Sequence, residues 1–454
     1  MPTALLSELP SDPANGSLDG ARPGITLAEM RDGATSPAGS LYIHVPFCSQ
    51  KCEYCAFYST AADGALVNRY VASLVRELAL RRAEIETPPS TVFFGGGTPS
   101  LLTLRQWETV FGAFRDHRLL GAGEWTVECN PATVSLDKAR LLRSAGVNRV
   151  SMGVQSLDEG LLDRLGRVHS RDMVFRSYDV LRSAGFERIN LDLMFGIPGQ
   201  TLEMWKETLR EAMAMGSEHV SCYEVIYEED TPLYEQLKAG EFDVDEALNA
   251  AMFEELVRAA GEAGFHPYEV ANFARHHPST EPEVSSAQPP GMLIPSEACR
   301  HNVNYWRGGS YVALGPSASG FHDGWRYRNV ANTQRYCERI EAGERAVDWE
   351  ERLTPLARAG EIAAFGLRMQ VGWPWATFQQ ATGFDLRKEW QTDMQELVAK
   401  GWGCMDDVGF RLTPEGLRFA DAAGSEFLRP DADGEVRRFD GFMERKAGKS
   451  PVPK

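Results

Sequence analysis

The sequence predicts an α/β fold in which parallel strands alternate with helical crossovers. Short apolar, β-branched or aromatic runs recur from Ser40 onward, and amphipathic helical segments separate them. Six such repeats favour a parallel sheet, either an open doubly wound sheet or a barrel. The runs cover residues 41–45, 91–94, 125–129, 149–154, 189–195 and 219–226.

The position of the unusual residues favours the barrel. Nearly all of them lie at or just beyond the C-terminal ends of the predicted strands, the face where a β/α barrel gathers its active site. The intervening helices are equally clear. Leu66, Tyr70, Leu74 and Leu78 recur every fourth residue, and a long helix is predicted over roughly 245–263.

Outside the predicted barrel, strands and helices no longer alternate regularly. Residues 276–299 are rich in Pro and Ser and predict a surface loop, which looks like an insertion. Residues 351–430 predict helices, a hairpin and a last helix, an α+β order that resembles a winged helix, but their balanced charge argues against DNA binding. The predicted organisation is a mobile leader (1–39), the barrel (40–275), the inserted loop (276–299), a connector (300–350), the small α+β domain (351–430) and a charged tail (431–454).

Charge and cysteine use exclude several classes of protein. The chain has 47 basic and 64 acidic residues, a net charge of −17, which argues against a nucleic-acid binder. The sequence predicts neither a bilayer-spanning helix nor a secretory signal. Three of the eight cysteines crowd into residues 48–55. In a reducing cytoplasm, where we expect this chain, such crowding indicates a metal or redox centre.

Cys48, Cys52 and Cys55 directly follow the first predicted strand with C-x3-C-x2-C spacing. Three thiolates can hold three irons of a 4Fe–4S cluster and leave the fourth iron open to a ligand such as S-adenosylmethionine (SAM). The alternatives are a zinc site, with His44 as a fourth ligand, or three unrelated thiols. Structural zinc usually takes four ligands from paired motifs, and the sequence has no second pair, so the cluster is favoured.

Polar and glycine residues at the ends of the next strands predict a SAM site. The glycines at 95–97 let a ligand approach the backbone closely, and Tyr54 is placed to lie against an adenine. Arg167 offers a guanidinium that matches a carboxylate. Each residue taken singly is as well explained by structural hydrogen bonds, but the joint placement predicts ligand binding. The strand-end polar residues are Glu128, Asn130, Gln155 and Asp192.

The motifs HxPFCxxxCxYC, GGGTPS, ExNP, RVSMGVQS, LGRVHS and NxDLMFGIPGQ occur in this order. Over roughly residues 40–430 the chain resembles the radical SAM proteins related to oxygen-independent coproporphyrinogen III oxidase. The resemblance implies a partial TIM-type (β/α)6 barrel with a smaller C-terminal domain. It also implies cluster and SAM binding at Tyr42, Cys48, Cys52, Tyr54, Cys55, Gly96, Gly97, Thr98, Glu128, Gln155, Arg167 and Asp192.

Two branches of that family differ at one position. The oxidases carry a further cysteine where this chain has Phe57. The HemW-type heme chaperones typically have Phe there and an H-N-x-x-Y-W motif, which this chain matches from His301 to Trp306. The resemblance to that branch implies heme binding, with His301 as an axial ligand and with Tyr305 and Trp306 lining an apolar pocket.

Three functions therefore compete. The first is a heme chaperone that delivers heme to acceptor hemoproteins, the second an oxygen-independent coproporphyrinogen III oxidase, and the third a binding module whose cysteines hold zinc. The first two imply a flavodoxin or ferredoxin-type electron donor and no nucleic acid. The resemblance leaves open a homodimer and contact with membrane-bound respiratory enzymes.

Overall fold

The computed structural model describes residues 37–277, 294–431 and 433–439. It confirms the predicted α/β architecture, since each of the six apolar runs contains a strand. The strands are β1 (Ser40–Val45), β2 (Phe47–Cys48), β3 (Thr60–Ala61), β4 (Thr91–Gly96), β5 (Glu124–Cys129), β6 (Arg149–Gln155), β7 (Arg188–Phe195), β8 (His219–Glu224), β9 (Phe265–Pro267), β10 (Asn272–Arg275), β11 (Tyr311–Leu314), β12 (Ser319–His322), β13 (Trp325–Asn329), β14 (Val347–Arg352), β15 (Trp373–Pro374), β16 (Gly403–Met405), β17 (Gly409–Leu412) and β18 (Glu435–Arg438).

Helices fill most of the connections between these strands. They are α1 (Gly64–Leu80), α2 (Leu104–Asp116), α3 (Leu136–Ser144), α4 (Glu159–Arg164), α5 (Arg171–Ser183), α6 (Leu202–Ala214), α7 (Pro232–Lys238), α8 (Glu246–Glu262), α9 (Arg300–Trp306), α10 (Thr333–Glu341), α11 (Pro355–Gly366), α12 (Trp375–Thr382), α13 (Leu386–Glu389), α14 (Gln391–Ala399), α15 (Pro414–Arg418) and α16 (Ala420–Ser425). Short 3-10 turns cover Arg82–Glu84, Pro99–Leu101 and Pro131–Thr133.

The main sheet has its strands in the order β18-β14-β13-β12-β11-β1-β4-β5-β6-β7-β8-β10-β9. The seven neighbours from β11 to β8 pair in parallel, and the flanking strands pair antiparallel. In the described part of the chain this sheet begins at β18 and ends at β9 without closing. The barrel is therefore partial, as expected.

Alternate residues of the parallel strands point to opposite faces of the sheet. One face carries Leu41, Ile43 and Val45 of β1, which are completely buried in the large hydrophobic core. The other face is unusually polar and includes Glu128 of β5 and Asp192 of β7. This polar face surrounds the interior of the partial barrel, where buried polar groups require partners or ligands.

The C-terminal unit has a core of its own, built around Trp373, Phe378, Trp390, Phe410 and Phe427. Its helices α11–α16 accompany a three-stranded antiparallel sheet in the order β15-β17-β16. This is the α+β, winged-helix-like order that the sequence predicts.

Other predicted segments differ from expectation or lie outside the described residues. The segment predicted as a connector supplies α9, α10 and the strands β11–β14, and the predicted tail contributes β18 to the sheet edge. The leader, apart from residues 37–39, and residues 278–293 of the predicted inserted loop lie outside the described residues. Among the helices that the structure describes, none is long and apolar enough to cross a membrane.

Candidate functional site

The three cysteines lie on a loop at the C-terminal end of β1. The loop leaves β2 and returns in β3, and these two short strands pair in parallel. Its middle is attached to the barrel at Glu53, whose N–H donates to the carbonyl of Leu165 (3.1 Å) and whose carbonyl accepts from the N–H of Leu233 (3.0 Å). The loop is therefore held at both ends and at its centre.

The three thiols are free, half-buried and surrounded by donors. Thr98 Oγ1 donates to Cys48 Sγ (3.6 Å), and Arg167 Nη1 donates to Cys52 Sγ (3.2 Å). Burial raises the pKa of Cys48 and of Cys55, and the proximity of Cys52 raises both further. Arg167 therefore places a positive charge beside the sulfur of Cys52.

The donor set fits a cubane better than a single metal ion. Among the described residues, no three His, Cys, Asp or Glu side chains converge as ligands of one ion. In a cubane each thiolate binds a different iron, so the sulfurs do not need to meet at one point. Cys48, Cys52 and Cys55, with their donors, are compatible with such a cluster.

The glycines after β4 come very close to neighbouring groups. Gly96 has φ +106°, and a Cβ there would lie 2.4 Å from the ring of His44. A Cβ on Gly97 would lie 2.7 Å from the carbonyl oxygen of Phe47. Only glycine fits at these two positions, and its small size lets the end of β4 pack closely against His44 and Phe47.

Two buried carboxyl groups face the interior beside these glycines. Burial, together with nearby Asp192, raises the pKa of Glu128 to about 8, although Glu128 Oε2 accepts from the Gly96 N–H (3.1 Å). Burial also raises the pKa of Asp192 to about 6, against hydrogen bonds from Ser151 (2.9 Å) and Asn190 (2.8 Å). This pair can accept hydrogen bonds or balance a cationic ligand.

Arg167 connects the predicted SAM residues to the cysteine loop. Besides Cys52 it contacts the hydroxyl of Tyr54 (3.5 Å) and donates through Nη2 to the carbonyl of Gly153 (2.8 Å). Its Nε is buried without a partner. Gln155 has φ +67° at a bulge in β6. Its side-chain amide lies so close to Gly153 that a Cβ added to this glycine would be 3.1 Å from the amide nitrogen.

Three other predicted residues at this end, Tyr54, Tyr42 and Asn130, make contacts within the protein itself. Tyr54 packs in a small apolar cluster with Leu161 and Leu165. Tyr42 is hydrogen-bonded through its hydroxyl to Nδ1 of His44 (3.1 Å). Asn130, expected to face a ligand, instead accepts the N–H of Ala132 (2.9 Å) and starts the 3-10 turn after β5.

The His301–Trp306 motif forms α9 and reaches the sheet from the opposite end. His301 Nδ1 is hydrogen-bonded to Oγ1 of Thr91 (2.9 Å), the first residue of β4. Its ring lies 5.2 Å from that of Phe93 and 6.4 Å from that of Tyr42, between centroids. Burial lowers the pKa of His301 to about 4, so the imidazole is neutral near pH 7.

The two aromatic residues of the motif lie at the junction with the C-terminal unit. The rings of Tyr305 and Trp306 are 5.1 Å apart. Phe365 of α11 lies 5.8 Å from Tyr305 and 6.3 Å from Trp306. The structure thus brings Tyr305 and Trp306 together, with His301 one turn earlier on the same short helix.

A buried ion pair that sequence reasoning missed holds this helix. Glu124 and Arg149 are 1% and 2% exposed and lie 3.2 Å apart. Glu124 accepts the N–H groups of Arg300 (3.1 Å) and His301 (3.0 Å), while Arg149 donates to the carbonyl of Glu297 (2.6 Å). Burial opposes ionisation of Glu124, but Arg149 and these N–H groups lower its pKa. The sequence gives only one sign of this ion pair: Glu124 and Arg149 are charged residues, and each stands at the start of an otherwise apolar strand.

Comparison with known proteins places this geometry in a family. The Radical SAM superfamily model matches residues 42–212, and the HemN C-terminal domain model matches residues 353–419. The structure of coproporphyrinogen III oxidase (HemN) from Escherichia coli superposes with a TM-score of 0.72 at 21% identity, covering 88% of this chain and 92% of that one. At that identity the likeness establishes the fold alone.

Relatives identified by sequence indicate the family more narrowly than the structural likeness does. "Heme chaperone HemW" of Bacillus subtilis (strain 168) is 33% identical over 86% of this chain and 99% of its own length. "Heme chaperone HemW" of Mycobacterium tuberculosis (strain ATCC 25618 / H37Rv) is 33% identical over 84% of this chain and 93% of its own length. The predicted relationship is confirmed: the chain belongs to the HemW family of radical SAM proteins.

Proposed function

We propose that this radical SAM protein is a heme chaperone, which binds a 4Fe–4S cluster, SAM and heme and delivers heme to acceptor hemoproteins. The observation that carries the proposal is the placement of the two motifs. The cysteine loop closes one end of the parallel strands, and the helix from His301 to Trp306 enters at the other. A cargo site separate from the cluster is what a carrier requires.

We assign the cluster to Cys48, Cys52 and Cys55. Thr98 donates to the sulfur of Cys48 and Arg167 to that of Cys52, so two of the three sulfurs have a hydrogen-bond donor beside them. When bound, a 4Fe–4S cluster with one iron free of protein ligands supplies an open coordination site and the electron for reductive cleavage of SAM. The chain's own contribution is to position that ligand and to keep water away from it.

We assign SAM to the interior face next to this loop. Gly96 and Gly97 belong to the proposed site through their position at the end of β4, where the Gly96 N–H donates to Glu128. Glu128 with Asp192 balances the positive charge of SAM and accepts from its hydroxyl and amino groups. Arg167 offers its unpartnered Nε to a carboxylate. Tyr42, Tyr54, Thr98 and Gln155 complete the proposed binding set.

We assign heme to His301, Tyr305 and Trp306. The His301 ring uses Nδ1 for Thr91, and its Nε2 makes no hydrogen bond to the described residues. Because its pKa is lowered to about 4, that nitrogen carries a lone pair for iron at neutral pH. Tyr305, Trp306 and Phe365 provide the aromatic surface that a porphyrin face requires.

Position 57 separates this function from that of an oxidase. Phe57 is 66% exposed beside the cysteine loop and offers no ligand atom where the oxidases carry a cysteine. The likeness to the Escherichia coli oxidase supports only a shared fold. Formation of protoporphyrinogen from coproporphyrinogen, SAM and a reductant under anaerobic conditions would favour the oxidase instead.

The partners follow from the same proposal. We expect a flavodoxin or ferredoxin as electron donor and hemoproteins, membrane-bound respiratory enzymes among them, as acceptors. We expect the chain to act in the cytoplasm, at the membrane surface when it meets those acceptors, and a homodimer is the arrangement to test first by light scattering.

A hemin titration tests the proposed function. Purified protein, with and without reconstituted cluster, is mixed with hemin, and the Soret band is followed. The wild type is expected to give a stable, saturable band that weakens in His301→Ala. His266→Ala, a change at an exposed histidine on β9, is the matched control and should leave the band intact. A wild type that retains no hemin would contradict the proposal.

A further inference from the structure

Arg307 follows directly after the motif and is buried without an acidic partner. Only 3% of this residue is exposed. Its Nη1 donates to the carbonyl of Gly372 (2.7 Å), and its guanidinium carbon lies 4.5 Å from the ring centre of Trp373. Among the described residues no carboxylate lies within ion-pair distance of it. Its Nε and Nη2 are both buried without a hydrogen-bond acceptor.

Among the described residues, the two other arginines that are at most 3% exposed each pair with a carboxylate. Arg149 pairs with Glu124 at 3.2 Å, and Arg81 pairs with Glu84 at 2.5 Å. A guanidinium that loses its hydration is stable only when an anion and further acceptors replace the water. Arg307 lacks that compensation, and burial alone lowers its pKa to about 9. It still carries its charge at neutral pH.

The unused atoms form one edge of the guanidinium. Nε and Nη2 point to the same side and together donate the two parallel hydrogen bonds that a carboxylate accepts. Nearby donors are also unmatched, since Trp306 Nε1 and Arg368 Nε have no acceptor. Arg368 stacks 4.8 Å over the Trp306 ring. The junction between α9 and residues 365–373 thus holds several donors without acceptors. Its carboxylates are used elsewhere, because Asp421 pairs with Nη1 of Arg368, and Glu269, which bridges Met369, accepts from Ala271 and Asn272.

We propose that Arg307 is an anchoring cation for a carboxylate of the cargo, namely a propionate of the porphyrin. This rests on the proposed heme function. Arg307 directly follows Trp306 of the motif and lies six residues beyond His301. The cargo would then be held by iron at His301 and by charge at Arg307.

The free edge of Arg307 is closed to water in this structure. Gly372 and Trp373 contact Arg307 directly, at Nη1 and at the face of the guanidinium. The proposal therefore requires a local opening around the free edge when the cargo binds.

Hemin and hemin dimethyl ester test this proposal, because the ester keeps the iron and the ring but has no free carboxylate. The wild type is expected to bind hemin on the order of tenfold to a hundredfold more tightly than the ester. Arg307→Met should lose that preference by weakening hemin binding while leaving ester binding unchanged. Arg307→Lys keeps the charge without the paired donors and should be intermediate. Arg258→Met, an exposed change on α8, is the control and should keep the full preference.

Thermal unfolding of the same variants separates an anchoring role from a structural one. Removing an uncompensated buried charge should leave the unfolding midpoint of Arg307→Met unchanged or raise it. A lowered midpoint together with equal losses for hemin and ester would mean that Arg307 only supports the junction. Equal wild-type affinity for hemin and ester would overturn the carboxylate proposal alone. Binding of neither compound would overturn the heme function and this inference with it.

Discussion

The two ends of the parallel strands are organised in different ways. At the C-terminal end, the cysteine loop and the glycines at the end of β4 are short, contiguous motifs that carry the proposed ligand groups. At the N-terminal end, His301 is positioned by partners far away in the chain, Thr91 and Glu124. Local motifs suit a site that must bind a small cofactor in one way, whereas long-range contacts suit a site whose occupancy is coupled to the rest of the fold.

The largest effect is expected from removing the three cysteines, which should abolish cluster binding at the C-terminal end of the strands and leave hemin binding at the N-terminal end intact. Replacing Cys48, Cys52 and Cys55 together with Ala should abolish iron and sulfide binding after anaerobic reconstitution, because no described side-chain group substitutes for the lost thiolates. Hemin binding to this variant should persist, since His301 lies at the other end of the strands. Metal analysis and Soret absorption measure both.

The control for that experiment is Cys404→Ala, a change in the C-terminal unit that should leave the iron content unchanged. Full iron and sulfide content in the triple variant would refute the cluster assignment. Loss of hemin together with the cluster would refute the separation of the two sites.

The second prediction concerns the N-terminal end. Glu124→Ala leaves Arg149 buried and unpaired and removes the acceptor for the first N–H groups of α9. The free energy of unfolding should fall by about 3–5 kcal/mol, and hemin affinity should fall with it. Chemical denaturation and hemin titration are the measurements.

An exposed ion pair provides the comparison for Glu124. Glu341 pairs with Arg69 at 2.7 Å, and both side chains are about one-third exposed. Glu341→Ala should change stability by less than about 1 kcal/mol. A similar loss in the two variants would mean that the buried pair has no special role in holding the motif helix.

The difference between local motifs and long-range contacts also explains which features could be predicted from the sequence. The six strands, the α+β C-terminal unit and the fold class follow from local apolar periodicity, and the cysteine motif follows from spacing within eight residues. β11 was not anticipated as a seventh parallel strand, because four residues between loops carry too little pattern. The roles of Glu124, Arg149 and Arg307 became visible only through their contacts with His301, Glu297 and Gly372, each more than fifty positions away.

A third prediction returns to the C-terminal end. Gly96→Ala introduces a methyl group 2.4 Å from the His44 ring at a residue with φ +106°. The strain and overlap together should lower the free energy of unfolding by about 3 kcal/mol. SAM affinity should fall while hemin binding remains. Gly216→Ala, where φ is +73° and the added Cβ meets nothing within 4 Å, should lose only about 1 kcal/mol.

The smallest expected effect is a difference in pH dependence between SAM affinity at the C-terminal end of the strands and hemin affinity at the N-terminal end. At the C-terminal end Glu128 has its pKa raised to about 8, so the free protein holds a proton there at pH 7. A cationic ligand such as SAM lowers that pKa, and binding must then release the proton. SAM affinity should therefore rise with pH between about 6.5 and 8, by less than about tenfold per unit, and level off above.

Glu128→Gln removes the titrating group and should flatten that profile, while His301→Ala should leave it unchanged. Hemin affinity should be nearly independent of pH over the same range, because the pKa of His301 is lowered to about 4 and the imidazole stays neutral throughout. Calorimetry in buffers of different ionisation enthalpy counts the released proton directly. A flat SAM profile in the wild type would show that SAM binding does not change the protonation of Glu128, and would contradict the predicted proton release.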